Sequence, residues 1–189
     1  ISGRGFFILS PKVGAEPRFT RDGSFSLDAF GNLITTDGFN VAGFERDDIQ
    51  GLINNVAVPI NIPLSITNKE GRNVSLTGLN IDPEGNIETV YGLNDIVTRG
   101  QIALAKFNND TELKSVGANA YQATQKSGLQ ILGSAMEGSF GEIISGALES
   151  SNTNISNEMI SLIKTQQAFN GNARIMQTSV DITRRLMGG

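Results

Sequence analysis

The chain has no histidine, no cysteine and no tryptophan among its 189 residues. Without cysteine there is no disulfide framework, no zinc–thiolate site and no thiol nucleophile. Without histidine the commonest general base and the commonest transition-metal ligand are both missing. Any enzyme built here would run on carboxylates, Lys, Tyr or Ser alone. Charge is also sparse: 18% of residues are Asp, Glu, Lys or Arg, below the roughly 25% of ordinary soluble domains. The formal net charge of -4 argues against a nucleic-acid partner, which needs a basic face. No apolar run approaches the roughly 20 residues that span a membrane, so no membrane insertion is expected. No cleavable leader is expected from the opening residues, since Ile1-Ser2-Gly3-Arg4-Gly5 is neither a charged n-region nor an apolar h-region. With no initiator Met, Ile1 is expected to be an internal position of a longer polypeptide.

What is present is glycine, 22 residues of it, spaced among short apolar runs. That pattern reads as many short strands and turns. Gly5-Phe6-Phe7-Ile8-Leu9 is a buried strand. Asp22-Gly23 between Arg18–Arg21 and Ser24–Leu27 predicts a tight hairpin, because such a turn needs positive φ. Asp28–Asn32 and Asp37-Gly38 predict the next two turns. Residues 45–54 are polar and have room for one helical turn. Val56–Val58 and Ile60–Ile62 alternate, with Pro59 and Pro63 pushing them to an edge. Pro83-Glu84-Gly85-Asn86 predicts a hairpin, and Gln101–Phe107 a strand. Thr111–Gly117 reads as a helical turn, with short strands near Tyr121–Thr124 and Ile143–Leu148.

The last forty residues change character. Asn152-Thr153-Asn154 supplies capping residues before Ile155. Apolar residues then fall on two seven-residue rows: Ile155, Leu162, Phe169 and Met176, and Met159, Ala173, Val180 and Met187, the second interrupted by Gln166. An offset of four between the rows is the a/d spacing of a heptad. A helix from Ile155 to Met187 would be about 50 Å long, against a radius of gyration near 16 Å for a compact domain of this size. So narrow a seam needs other helices, either within one chain or between chains. The fold class expected is mainly β with a long C-terminal α-helix: an antiparallel β-domain of short strands plus an extended helix. Its parts are a β-meander over 1–54, the rest of the β-domain with a Gly-rich connection over 55–150, and an assembly helix over 151–189.

The apparent chemical motifs have plainer explanations. Gly3-Arg4-Gly5 precedes a strand, whereas a dinucleotide fingerprint follows one. Asp28–Asn32 and Asp82–Asn86 space oxygens as calcium loops do but lack the flanking helices and the bidentate Glu; hairpin turns account for both. With 19 acidic residues a carboxylate pair is always available, so pairing alone carries no weight. No catalytic residue, cofactor or metal is expected.

Several segments together resemble a known family. Gly5–Leu9, Phe19-Thr20-Arg21-Asp22-Gly23-Ser24-Phe25-Ser26-Leu27-Asp28, Gly31-Asn32-Leu33 and Asp37-Gly38 resemble the core β-segment of the bacterial flagellar axial proteins, the rod and hook subunits. Gly100–Asn109, Gly146–Asn152 and Gln166-Gln167-Ala168-Phe169 look most like the hook subunits. Hook subunits usually carry a large extra β-domain between these segments; here only about fifty-five residues separate Phe44 from Gly100, as in a distal-rod subunit. The resemblance implies a non-catalytic structural subunit of the flagellum, in the hook or basal-body rod, exported beyond the cytoplasm through the flagellar secretion apparatus. It implies partners too: copies of itself in a helical tube, and adjacent axial proteins of the rod, hook cap and hook–filament junction. The two helical rows would then be the assembly seam. The competing reading is a secreted β-rich adhesin or carbohydrate-binding module, which leaves the helix without a role.

Overall fold

A computed structural model describes residues 1–10, 16–47, 51–52, 56–67, 71–92, 95–149 and 153–188. The chain divides into two units, Ile1–Glu149 and Ser150–Gly189. The first is built of antiparallel strands: β1 (Phe6–Ser10), β2 (Arg18–Thr20), β3 (Phe25–Leu27), β4 (Leu33–Thr35), β5 (Asn40–Asp47), β6 (Gly51–Leu52), β7 (Val58–Pro59), β8 (Ser65–Thr67), β9 (Asn73–Ile81), β10 (Asn86–Tyr91), β11 (Asp95–Lys106), β12 (Lys114–Gly117), β13 (Ala120–Gln122) and β14 (Ile131–Ser134). The second unit is one helix, α1 (Ile155–Met187).

The strands pair in the order β12-β13-β2-β1-β5-β11-β10-β9-β8, with β14 on β11, and β4, β6 and β7 on β5. The sequence of β1 explains its central place. Successive side chains of a strand point to opposite faces, and four apolar residues in a row suit a strand covered on both sides. Phe7 and Leu9 enter one core with Leu33, Val41, Ile62, Ile87, Ile102 and Leu104. Phe6 and Ile8 enter the other with Phe19, Phe44 and Phe107. In the second core, rings of Phe19 and Phe107 meet edge-to-face at 4.8 Å, and those of Phe6 and Tyr121 at 5.8 Å, the arrangement the ring quadrupoles favour.

Four local expectations are corrected. Asp22-Gly23 does not join β2 to β3 as a hairpin: β2 pairs with β1 and β13, and β3 with β4. The Asp22 carboxylate instead accepts from the Ser24 amide at 3.0 Å, turning the chain between two ladders. Residues 45–47 extend β5, and 48–50 and 53–55 lie outside the described residues. Thr111–Gly117 is a short 3-10 turn (Asp110–Glu112) followed by β12, because Lys114 and Ser115 pair with Gln122 and Tyr121. The strand expected at Ile143–Leu148 is absent there; the one that pairs with β11 is β14.

Candidate assembly interface

Two turns flagged for their oxygens share one geometry. In Asp28–Asn32, the Asp28 carboxylate accepts from the amides of Phe30 and Asn32 and from Asn32 Nδ2, each at 2.8 Å. In Asp82–Asn86, the Asp82 carboxylate accepts from the Asn86 amide and Nδ2, again at 2.8 Å. Gly31 and Gly85 both adopt positive φ, +81° and +85°. Asp-x-x-Gly-Asn is thus a repeated turn module in which the carboxylate holds the turn's own amides. The Asn32 side chain, helped by backbone amides and opposed by burial, holds the Asp28 carboxyl below its usual range.

The assembly reading rests on α1. Asn154 caps it, its Oδ1 accepting from the amides of Ser156 (3.0 Å) and Asn157 (3.3 Å). Glu158 lies in the first turn, Arg184 and Arg185 in the last, each of the sign the helix dipole favours. The Gly188 amide closes the end on the Arg184 carbonyl at 3.0 Å. The helix spans Ile155–Met187 as the heptad rows require, and all eight seam residues lie on it: Ile155, Met159, Leu162, Phe169, Ala173, Met176, Val180 and Met187. At about 100° per residue these eight fall within one sector of the helix surface. A lone helix has no interior, and none of these side chains is buried; Phe169 is 72% exposed.

The structure adds a row that the two-row reading passed over. Ala168, Ile175 and Ile182 repeat every seven residues, and Leu186 follows four later; they project on the side of α1 opposite the first seam. Ile175, Ile182 and Leu186 are exposed. The C-terminal half of the helix is therefore apolar on two opposite faces; nearer the start the second face mixes Asn157 and Lys164 with the exposed Ile160 beside them. The signal was the seven-residue spacing itself, which a single-seam template discards. Thr165, Thr178 and Thr183 donate their hydroxyls to carbonyls four residues back (Ser161, Arg174 and Ser179) at 2.9, 3.1 and 2.9 Å. Their polar atoms are thereby satisfied inside the helix.

An antiparallel β-unit on whose C-terminal side follows one long, capped helix defines the architecture. The family model described as "Flagellar hook protein FlgE/F/G D1 domain" matches residues 1–92, and "Flagellar basal body rod FlgEFG protein C-terminal" matches residues 144–188. The flagellar basal-body rod protein FlgG of Buchnera aphidicola subsp. Acyrthosiphon pisum is 34% identical over 98% of this chain and 62% of its own length. The FlgG of Borreliella burgdorferi is 33% identical over 95% of the chain and 59% of its own. The flagellar hook protein FlgE of Escherichia coli K12 is 30% identical over 93% of the chain and 44% of its own. The chain belongs to the flagellar hook and rod family of axial proteins. It spans about three fifths of the length of the rod proteins it matches.

Proposed function

We propose that this chain is a structural subunit of the axial part of the bacterial flagellum, in the rod or hook, which self-assembles into a tube and transmits torque. The observation that carries the reading is the order of parts: the β-unit matched by the hook and rod D1 family, then a helix whose apolar rows have no core of their own. Apolar rows left on a lone helix mark a surface for association. Heterologous contacts that do not close on themselves build a helical filament. Burying the seam between neighbours gains roughly 25 cal/mol per Å² of apolar surface, and its methionines repack easily as subunits shift. The seam residues Ile155 to Met187 are thus assigned to subunit contacts, with copies of the chain and adjacent axial proteins as partners. The role is mechanical and calls on no catalytic group or cofactor. The compact middle, with β5 through β11 in one sheet, favours the distal rod over the hook. Electron microscopy of the purified full-length protein tests the reading: tubes are expected, and a chain that stays monomeric at every concentration overturns it.

A further inference from the structure

The segments that flank the β-unit are stitched together. Ser2 and Glu142 exchange backbone hydrogen bonds at 2.9 and 3.0 Å, and the Gly141 amide donates to the Arg4 carbonyl at 2.8 Å. Two glycines permit the approach: a Cβ on Gly3 would lie 2.8 Å from Gly141 Cα, and one on Gly141 2.3 Å from the Ser2 carbonyl oxygen. The stitching ends at Ile143, whose amide donates to the Pro83 carbonyl at 3.1 Å and whose side chain is buried.

From 144 to 149 the chain is held differently. Ile144 and Leu148 are exposed, so packing does little. Among the described residues, the one hydrogen-bonded side chain of this stretch is Glu149. Its two oxygens share the Nε–H of Arg21 at 3.0 and 2.9 Å. The remainder of the guanidinium is engaged elsewhere: Nη1 donates to the Gly5 carbonyl at 3.3 Å, and Nη2 to the carbonyls of Ile1 and Gly3 at 3.1 and 3.0 Å.

We propose that Arg21 and Glu149 form a latch that sets where the chain leaves the β-unit on its way to α1. Arg21 is the fixed half, because three backbone carbonyls keep it in place when Glu149 departs. Glu149 is the moving half. Latched, the chain leaves the unit at Glu149; released, it leaves at Ile143. The difference is six residues, up to about 20 Å of reach. Release strands neither side chain, since the two are already 30% and 40% exposed and water replaces the lost partner on each. An exposed pair of this kind shifts the ratio of the two states by about two- to five-fold, so both are accessible, and added salt favours release.

The absence of cysteine makes the test direct. Nitroxide labels are placed on Ser26→Cys and Leu148→Cys in the full-length protein, and their distance distribution is measured by pulsed electron resonance in 0.05 M and 1 M NaCl. At low salt the expected distribution is dominated by a short component. Glu149→Gln raises the long component relative to the short by about two- to five-fold, and 1 M salt does the same to the unsubstituted protein while leaving Glu149→Gln unchanged. A distribution indifferent to both the substitution and the salt overturns the latch. The salt titration needs no latch substitution, so the proposal remains testable should Glu149→Gln fold poorly. The measurement is made on monomers and stands or falls independently of tube formation.

Discussion

The Tyr91 hydroxyl donates to the Pro63 carbonyl oxygen at 2.7 Å, and the Tyr91 side chain is fully buried. The bond ties β10 to the segment between β7 and β8, at Pro63. Tyr91→Phe keeps the ring and strands the carbonyl. The expected cost is about 1–2 kcal/mol, read as a lower melting temperature of the β-unit. An unchanged melt would mean that water replaces the phenol there.

Gly31 and Gly38 both adopt positive φ, +81° and +77°, but they differ in what surrounds them. A Cβ at Gly31 would lie 2.0 Å from the Ile62 carbonyl oxygen, while one at Gly38 meets nothing within 4 Å. Gly38→Ala should cost about 1–2 kcal/mol for the conformation alone. Gly31→Ala should cost distinctly more, because Ile62, whose amide donates to the Gly31 carbonyl at 2.6 Å, must also shift. Denaturant melts of the two variants check the ranking, which fails if they lose equal stability.

Asp28 links the turn module to pH. Its carboxyl is held low in the folded state, chiefly by Asn32. A depressed folded pKa contributes stability that is present above the unfolded value, near 3.9, and lost as pH falls through the folded value. Asp28→Asn should therefore lower stability at pH 7 and flatten the acid limb, the two proteins converging as pH drops below about 4. Chemical melts from pH 7 down to 2 measure it; parallel curves would remove Asp28 from the acid transition.

The seam separates assembly from folding. Phe169→Asp places a charge in the apolar interface proposed for α1, where an unpaired charge is expensive. Tube formation should be lost while the melting temperature of the β-unit holds. Ile182→Asp tests the opposite row and should have the same effect, whereas Gln167→Glu, off both rows, should leave tubes intact. If Ile182→Asp assembles normally, the second row is not an interface.

The cap of α1 makes a smaller claim. Asn154→Ala leaves the amides of Ser156 and Asn157 without their acceptor, a loss of about 1 kcal/mol. Circular dichroism of the monomer should show fewer helical residues and an unchanged β-unit.

The helix was legible because its determinants are local: a seven-residue repeat and capping residues at one end. The Asp28 and Asp82 turns were legible for the same reason, as five consecutive residues define each. The pairing of β2 with β13 was not, because the two strands are remote in the chain. Phe19 pairs with both Ile8 and Tyr121, and the Thr20 hydroxyl reaches the Asn119 carbonyl at 2.8 Å, a contact 99 residues apart in the chain. A hairpin reading of Asp22-Gly23 satisfies local turn chemistry; instead β2 lies between β1 and β13, and Phe19 is fully buried. β14 escaped notice because its glycine-bearing sequence, Ile131-Leu132-Gly133-Ser134, carries little strand propensity. The second apolar row of α1 was written in the sequence but concealed by fitting one seam.

Gly171 stands at the midpoint of α1, sixteen residues from Ile155 and sixteen from Met187. A Cβ there would touch nothing within 4 Å, so crowding does not require the glycine. It costs the helix roughly 1 kcal/mol relative to alanine, and that cost falls at the midpoint of the apolar rows. Gly171 is therefore where imposed curvature is expected to be least costly to this helix. Under the assembly proposed above, a stiffness minimum at mid-length would let the two halves of the helix follow different neighbours.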